Sequence, residues 1–278
     1  MYKLIAIDLD GTLLDDKKNI PEENIKLMRE LIDREYEIVI ATGRRYWEAK
    51  NIIKDINRPM VILANNGNIV RDLKDDKILI KKYLDIEDFK KVIEESRKRG
   101  LCPLLLVDEY EKGIDVVVEA GNINEYHDVY LSRAQDRCKK VEDYLEMEDA
   151  NILSIVYFGD KKDMEGLYDY INERYPKIFK AHLMENIRVA EALLEIMNPL
   201  GDKWLSLLDY ARERGIERKE IIAVGDDNND IEMIKNAGLG IAMKNASPMV
   251  KEVADIITEK DNNEAGLAFE LRKILKLL

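Results

Sequence analysis

The chain has 278 residues, of which 46% are hydrophobic and 36% are charged, and its formal net charge is −12. This length suits one large core or two smaller ones, and no stretch approaches the ~20 consecutive apolar residues of a membrane helix, which excludes a membrane protein. The negative charge disfavours nucleic acid as a partner, because a polyanion would be repelled at long range. For the same reason, a small phosphorylated substrate would need a local cationic pocket.

The first residues and the cysteines indicate the compartment. The apolar run that opens the sequence ends at Asp8, far short of the hydrophobic region of a secretory signal. A chain of this size with only two cysteines, Cys102 and Cys138, is typical of a reduced interior, where both serve packing. We therefore expect a soluble, cytoplasmic protein, and the sequence carries no signature of a particular oligomeric state.

Short apolar runs alternate with amphipathic segments in the first part of the chain. This pattern predicts strands at residues 3–9, 37–43 and 60–64 and helices at residues 21–35 and 47–56. Strands that alternate with helices imply βαβ units and hence a parallel sheet.

The rhythm changes between residues 83 and 188. Two runs at residues 104–107 and 114–119 predict an antiparallel hairpin. A strand at residues 152–158, a helix at residues 162–175 and further strand from residue 178 onward complete this middle part.

The alternation then resumes, with predicted helices at residues 203–213, 231–236 and 248–253 and predicted strands at residues 221–224, 239–243 and 256–257. The two outer parts should therefore share one sheet. We predict an α/β fold in which residues 1–83 and 189–278 form a Rossmann-like, doubly wound parallel sheet core, and residues 84–188 form an inserted α+β domain.

The first predicted strand runs into Asp8-Leu9-Asp10-Gly11-Thr12. Because side chains of a strand alternate between faces, Asp8 and Asp10 should share one side, at the carboxyl end where open α/β sheets bind ligands. One carboxylate can then serve as nucleophile and metal ligand, and the other as general acid and base. The competing interpretation is a strand that simply ends in an acidic surface turn.

The second predicted strand ends in Ala41-Thr42-Gly43-Arg44. The Thr42 hydroxyl and the backbone N–H of Gly43 suit a phosphate oxygen, and Arg44 adds a cation, so we take all three as candidates for phosphate or substrate binding. Taken alone, Thr-Gly is also an ordinary turn at the end of a strand.

Two later segments add further candidates. Lys203 is the first residue of a predicted helix, where its positive charge is unfavourable for the helix macrodipole unless an anion offsets it. The alternative interpretation is a solvated surface lysine. Gly225-Asp226-Asp227-Asn228-Asn229-Asp230 follows a predicted strand, and its hard oxygen ligands suit Mg²⁺; a solvated acidic loop or a helix N-cap is the alternative.

These four segments, in this order, resemble the motifs of the haloacid dehalogenase superfamily of phosphotransferases. More closely, the chain is similar to the Cof-type phosphatases, whose class IIB cap domain lies between the second and third motifs. The closing segments at residues 237–248 and 262–266 extend the resemblance over the whole chain. Two residues depart from the family pattern: Trp204 follows the lysine where glycine is common, and Asp227 stands where glycine or serine is frequent.

The resemblance implies a role for each motif residue. Asp8 would attack phosphorus and become an aspartyl phosphate, and Asp10 would protonate the leaving oxygen and then activate water. Mg²⁺ would be held by Asp8, the backbone carbonyl of Asp10 and Asp226, with Asp230 near the metal waters or Lys203. The remaining candidates bind phosphate or line the substrate side, namely the backbone of Leu9 and Gly43, the side chains of Thr42, Arg44, Lys203 and Asn229, and Asn66.

The sequence therefore predicts a Mg²⁺-dependent phosphatase that acts on a small phosphorylated metabolite, such as a sugar phosphate or a phosphorylated cofactor, with the cap setting specificity. A phosphomutase on the same core is the nearest alternative, since the aspartyl phosphate could pass to a sugar hydroxyl. A noncatalytic regulator that binds a phosphorylated metabolite is the second alternative, although it would be expected to have lost Asp8, Asp10 or Lys203. A serine hydrolase is disfavoured. It would need a histidine base, and the two histidines, His127 and His182, both lie in the middle part of the chain, which has no Gly-x-Ser-x-Gly motif.

Overall fold

The chain folds into two compact units. The computed structural model describes residues 1–122, 125–134, 136–148, 150–185 and 190–277. The first unit consists of Met1–Lys81 and Asp202–Leu278, and the second of Lys82–Gly201.

The strands, in chain order, are β1 (Leu4–Asp8), β2 (Glu37–Ala41), β3 (Val61–Ala64), β4 (Ile69–Asp72), β5 (Ile78–Lys81), β6 (Leu104–Glu109), β7 (Ile114–Glu119), β8 (Cys138–Val141), β9 (Ile152–Gly159), β10 (Lys180–Glu185), β11 (Ala192–Met197), β12 (Ile221–Gly225), β13 (Leu239–Ala242) and β14 (Ile256–Ile257). The helices are α1 (Glu22–Asp33), α2 (Tyr46–Ile53), α3 (Ile86–Lys98), α4 (Glu125–Ala134), α5 (Lys161–Arg174), α6 (Lys203–Glu213), α7 (Ile231–Asn236), α8 (Pro248–Val253) and α9 (Gly266–Leu275).

The first unit is built on an eight-stranded sheet in the order β14-β13-β12-β1-β2-β3-β4-β5. The strands from β14 to β3 are parallel, so the predicted α/β core with one sheet shared by both outer parts is confirmed. Each strand predicted in those parts lies within two residues of its observed bounds. The sheet also has an extension that the sequence analysis missed, because β4 and β5 add antiparallel strands beyond β3.

The central strand β1 explains why its sequence is almost wholly apolar. All five of its residues are buried, since β12 and β2 flank it in the sheet and helices cover both faces of such sheets. On one side, Leu207 and Tyr210 of α6 pack with Leu4 and Ala6 of β1 in one apolar cluster. This packing sets the start of α6 over the carboxyl end of β1.

The second unit has its own six-stranded sheet, in the order β10-β11-β9-β6-β7-β8. The predicted hairpin is present as β6 and β7, and among the described strand pairs of this sheet only β7 and β8 are parallel. Apolar residues of α3 and α5, such as Phe89, Val92 and Leu167, bury against this sheet in a cluster separate from that of the first unit.

The second boundary between the units differs from the prediction. The predicted limit at residues 188 and 189 lies outside the described residues. The strand that follows it, β11, pairs along its whole length between β9 and β10, so the first unit resumes only at Asp202. An apolar strand of this kind has the same sequence pattern in either sheet, which is why the pattern alone misplaced the boundary.

Within the part of the chain that the structure describes, no helix is both long enough and apolar enough to cross a bilayer.

A pair of glycines tests how closely the turn after β3 packs on α6. Gly67 has φ +96°, and an added Cβ would lie 2.5 Å from the carbonyl oxygen of Asp202, whereas Gly215 has φ +66° with no described residue within 4 Å of that position. We expect Gly67→Ala to lower the free energy of unfolding by about 3 kcal/mol, from backbone strain and overlap together. Gly215→Ala should cost about 1 kcal/mol, from strain alone. Urea unfolding measures both, and equal losses would contradict the close packing of Gly67.

Candidate active site

The catalytic candidates begin where β1 ends. The strand stops at Asp8, and Leu9–Leu13 form a single wide helical turn that the Leu14 N–H closes on the Leu9 carbonyl at 2.9 Å. Asp10 therefore lies in this turn and not in the strand, so the expectation that Asp8 and Asp10 share a strand face is wrong. Gly11 makes the turn possible, because its φ of +78° is costly for other residues.

A buried ion triad joins Asp8 to two residues from distant parts of the chain. The Lys203 Nζ donates to Asp8 Oδ1 and to Asp230 Oδ1, each at 2.7 Å. Lys203 is 1% exposed, Asp8 5% and Asp230 0%. The lysine is the first residue of α6, whose N-cap is Asp202, so the two carboxylates offset the unfavourable position of a cation at a helix start.

The triad has more negative than positive charge, and the pKa values follow from this. Burial raises the pKa of Asp8 well above its ordinary range, and repulsion from Asp230 adds to the effect, although Lys203 opposes it. Burial alone would lower the pKa of Lys203, but attraction to Asp230 and Asp8 outweighs it and raises the pKa. Lys203 thus stays protonated, and Asp8 binds a proton or a cation more readily than a free carboxylate would.

A third carboxylate, Asp226, follows β12 and completes a set of oxygen ligands. One oxygen each of Asp8, Asp226 and Asp230 lie within 4.8 Å of one another. Burial and then repulsion from Asp230 raise the pKa of Asp226 to about 7, although the Thr12 hydroxyl donates to its Oδ1 at 3.1 Å. Three carboxylates therefore lie around one lysine. Their hard oxygen atoms and their excess negative charge fit a divalent cation such as Mg²⁺.

Asp230 already has donors on both carboxylate oxygens. Besides the bond from Lys203 to Oδ1, its Oδ2 accepts the backbone N–H groups of Asp226 and Asp227 at 3.1 and 3.2 Å. The sequence analysis expected Asp230 either beside Lys203 or beside the metal waters. In the structure, Asp230 contacts Lys203. Asp230 thereby fixes both the lysine and the loop that carries Asp226.

The candidates for phosphate binding lie on neighbouring strand ends. Thr42 is 1% exposed, and its Oγ1 accepts the N–H of Arg44 at 3.1 Å. The Asn229 side chain donates to Asn66 Oδ1 at 3.0 Å, and a Cβ added to Gly43 would lie 3.1 Å from that same oxygen. Gly43, Asn66 and Asn229 are thus brought together, and Thr42 directly precedes Gly43.

Arg44 has carboxylate partners where the sequence analysis expected phosphate. Its Nε and Nη2 donate to Oδ2 and Oδ1 of Asp10 at 2.6 and 2.8 Å, and its Nη1 donates to Glu48. Lys18 Nζ also donates to Asp10 Oδ1, at 2.7 Å. Burial raises the pKa of Asp10, but the hydrogen bonds from Arg44 and Lys18 outweigh it and lower the pKa to about 2.

Several supporting residues had no role in the sequence analysis. Asn245 donates to the Gly11 carbonyl at 2.8 Å, and Asn262 donates to the Leu14 carbonyl at 3.0 Å, so both hold the turn after β1. Their segments carried part of the family resemblance, which was the available signal. Lys18 stands in a charged loop with no pattern that could have singled it out.

The two departures from the family pattern have local explanations. Trp204, in place of glycine, is 8% exposed and packs in the apolar cluster under α6, which leaves the contacts of Lys203 in place. Asp227 accepts the Asn228 N–H at 2.7 Å and caps the short helical turn that follows.

Comparison with known proteins identifies relatives along the whole chain. Two proteins of Bacillus subtilis named 5-amino-6-(5-phospho-D-ribitylamino)uracil phosphatase, YcsE and YitU, are 30% and 28% identical to it; the matches cover 97% and 99% of this chain and 94% and 98% of the relatives. A haloacid dehalogenase-like hydrolase of known structure from Bacteroides thetaiotaomicron is 27% identical, with a TM-score of 0.83 over 99% of this chain and 100% of that one.

The family itself is defined by a model described as haloacid dehalogenase-like hydrolase, which matches residues 5–271. This span includes Asp8 at the end of β1, Lys203 at the start of α6 and the loop with Asp226. The chain therefore belongs to the haloacid dehalogenase-like hydrolases, as its four motifs predicted, and the two Bacillus subtilis relatives are named as phosphatases.

Proposed function

We propose that this protein is a Mg²⁺-dependent phosphatase that hydrolyses small phosphate monoesters through an aspartyl phosphate on Asp8. The observation that carries the proposal is the buried Lys203, bonded to both Asp8 and Asp230 at the end of β1 and accompanied by Asp226. Phosphoryl transfer depends mainly on alignment and neutralisation of charge, and this arrangement supplies both.

Asp8 is assigned the attack on phosphorus. Lys203 binds Oδ1, so the carboxylate is held in one orientation and Oδ2 is the oxygen that we assign to the new bond with phosphorus. The ammonium group of Lys203, which is bonded to Asp8, is assigned to offsetting the negative charge of the transferred phosphoryl group, and fixed charges of this kind need no reorganisation during the reaction.

The metal site is assigned to the carboxylates of Asp8 and Asp226 with the backbone carbonyl of Asp10. Bound there, Mg²⁺ would neutralise the phosphate and align it with the nucleophile. Asp230, whose oxygens accept from Lys203 and two backbone N–H groups, is assigned to orienting these groups.

Asp10 is assigned the proton transfers. Arg44 and Lys18 hold Asp10 ionised in this arrangement, so it must take up a proton before it protonates the oxygen of the departing alcohol. In the second step the carboxylate takes a proton from the water that attacks the aspartyl phosphate. The phosphate oxygens are assigned to a set of donors around the strand ends, namely the backbone of Leu9 and Gly43, the Thr42 hydroxyl, Lys203 and Asn229, with Asn66 on the substrate side.

The substrate class is inferred from charge and from the named relatives. Two relatives are named for a compound with a phosphoribityl group, which is a primary phosphate monoester, and we propose a substrate of this small, phosphorylated kind. The net charge of −12 argues against nucleic acid. The second unit, Lys82–Gly201, is proposed to act as the cap domain that selects the substrate.

Asp8→Asn tests the nucleophile. Replacing the attacking carboxylate with an amide should lower kcat by more than about 10³-fold, measured as phosphate released from a panel of phosphate esters with Mg²⁺. Asp33→Asn, which changes a surface aspartate paired with Arg58, is the matched control and should keep the wild-type rate. Asp8→Asn with a wild-type rate would refute the mechanism, and an isomerised ester without phosphate release would identify a phosphomutase.

The pKa of Asp226 predicts how the stability of the metal-free protein depends on pH. The pKa is about 7 in the folded protein against an ordinary 3.8. Between these values the folded state keeps a proton that the unfolded chain has lost, so this contribution to stability disappears as pH rises. The Tm should therefore fall between about pH 4 and about pH 7, and Asp226→Asn should make the fall shallower.

Mg²⁺ should have its largest effect at high pH, because the cation then takes the place of the proton among the carboxylates. The rise in Tm on adding Mg²⁺ should be larger at about pH 8 than at about pH 5 and should largely disappear in Asp226→Asn but persist in Asp33→Asn. A rise that is equal at both pH values, or that persists in Asp226→Asn, would argue against Asp226 as a ligand.

A further inference from the structure

The carboxylate of Asp10 accepts three hydrogen bonds from two cationic side chains. Arg44 Nε donates to Oδ2 at 2.6 Å and Arg44 Nη2 donates to Oδ1 at 2.8 Å, while Lys18 Nζ donates to Oδ1 at 2.7 Å. The two bonds from Arg44 are the paired contact of a planar guanidinium with a carboxylate, which sets orientation as well as distance.

The backbone of Asp10 does not supply this orientation. Asp10 lies outside β1, with φ −83° and ψ 123° inside the wide turn, and Gly11 follows it with φ +78°. A side chain in a strand is aimed by the pleat of the sheet, but one in such a turn must be aimed by its side-chain partners. Arg44 is the partner that contacts both of its oxygens.

Arg44 is itself fixed in place. It stands between the end of β2 and the start of α2, its side chain is 21% exposed, and its remaining terminal nitrogen donates to Glu48, which lies one turn along in α2. A residue that binds the substrate phosphate directly would be expected to direct its N–H groups at the phosphate site, whereas those of Arg44 are directed at Asp10 and Glu48.

We infer that Arg44 is a positioning residue that aims the carboxylate of Asp10 at the leaving oxygen of the substrate, and is not a phosphate ligand. The inference rests on the proposed function, since it presumes that Asp10 carries the proton. Lys18 has a lesser part, because its side chain is 53% exposed and an ammonium group on a flexible stem fixes direction poorly.

The two roles of Arg44 differ in how they depend on the leaving group. A phenolate ion is a poor leaving group and needs the proton from Asp10, whereas a 2,4-dinitrophenolate ion leaves without one. A misdirected Asp10 therefore slows hydrolysis of phenyl phosphate alone, while loss of a phosphate ligand slows both esters. The value of kcat/KM is the proper measure, because it covers the steps up to formation of the aspartyl phosphate and not its breakdown.

The experiment compares the two esters, with Mg²⁺, in wild type, Arg44→Ala, Arg44→Lys and Asp10→Asn. Arg44→Ala should lower kcat/KM for phenyl phosphate by about 10²-fold, as general acid catalysis is lost, and should change it less than about threefold for the dinitrophenyl ester. Arg44→Lys, which keeps the charge but not the paired contact, should resemble Arg44→Ala. Asp10→Asn should show the same selectivity for phenyl phosphate.

The control is a second arginine of the first unit that also binds both oxygens of one carboxylate. Arg58 donates to both oxygens of Asp33 at 2.8 and 3.2 Å, away from the motif residues, so Arg58→Ala should leave both esters unaffected. If Arg44→Ala lowers kcat/KM equally for the two esters, the inference is overturned and Arg44 is instead a phosphate ligand. If Arg44→Ala lowers kcat/KM for neither ester, the inference is also overturned. A wild-type protein inactive on both esters would instead refute the proposed function, and the inference with it.

Discussion

The buried contact of Lys203 with Asp8 and Asp230 is the interaction on which the rest of this structure depends. It joins the end of β1, the start of α6 and the loop after β12, although Lys203 and Asp8 are 195 positions apart. Removing one member of a buried ion group leaves an uncompensated charge and typically costs about 3–5 kcal/mol. The fold of the first unit and the geometry of the candidate active site are therefore stabilised by the same three side chains.

The site is nevertheless not optimised for stability. Asp226 adds a third carboxylate beside one lysine, and repulsion within the cluster raises its pKa. Gly11 lets this carboxylate approach, since a Cβ there would overlap it. Residual electrostatic strain of this kind is common at functional sites, and here a bound cation would relieve it.

Features that follow from one rule of sheet geometry are predictable from the sequence, whereas features that depend on several contacts acting together are not. The carboxyl ends of parallel strands meet at one edge, so Asp8, Thr42 and Asp226 could be placed near each other from strand prediction alone. The wide turn at Leu9–Leu13 could not be predicted, because it depends on contacts from Asn245 and on the room that Gly11 leaves for Asp226. The strands β4 and β5 follow a reversal at Asn65 and Asn66, two left-handed residues whose conformation a propensity argument does not reveal.

The ties from the end of the first unit to the turn after β1 have a consequence during protein synthesis. Asn262 binds the Leu14 carbonyl across 248 positions, and Asn245 binds the Gly11 carbonyl across 234. The ribosome therefore completes Asp8 long before the residues that shape its surroundings emerge. A nascent chain that still lacks them carries the proposed nucleophile without Lys203, without Asp226 and without the contacts that hold its turn. Under the proposed function, an unfinished molecule should not be able to hydrolyse phosphate esters.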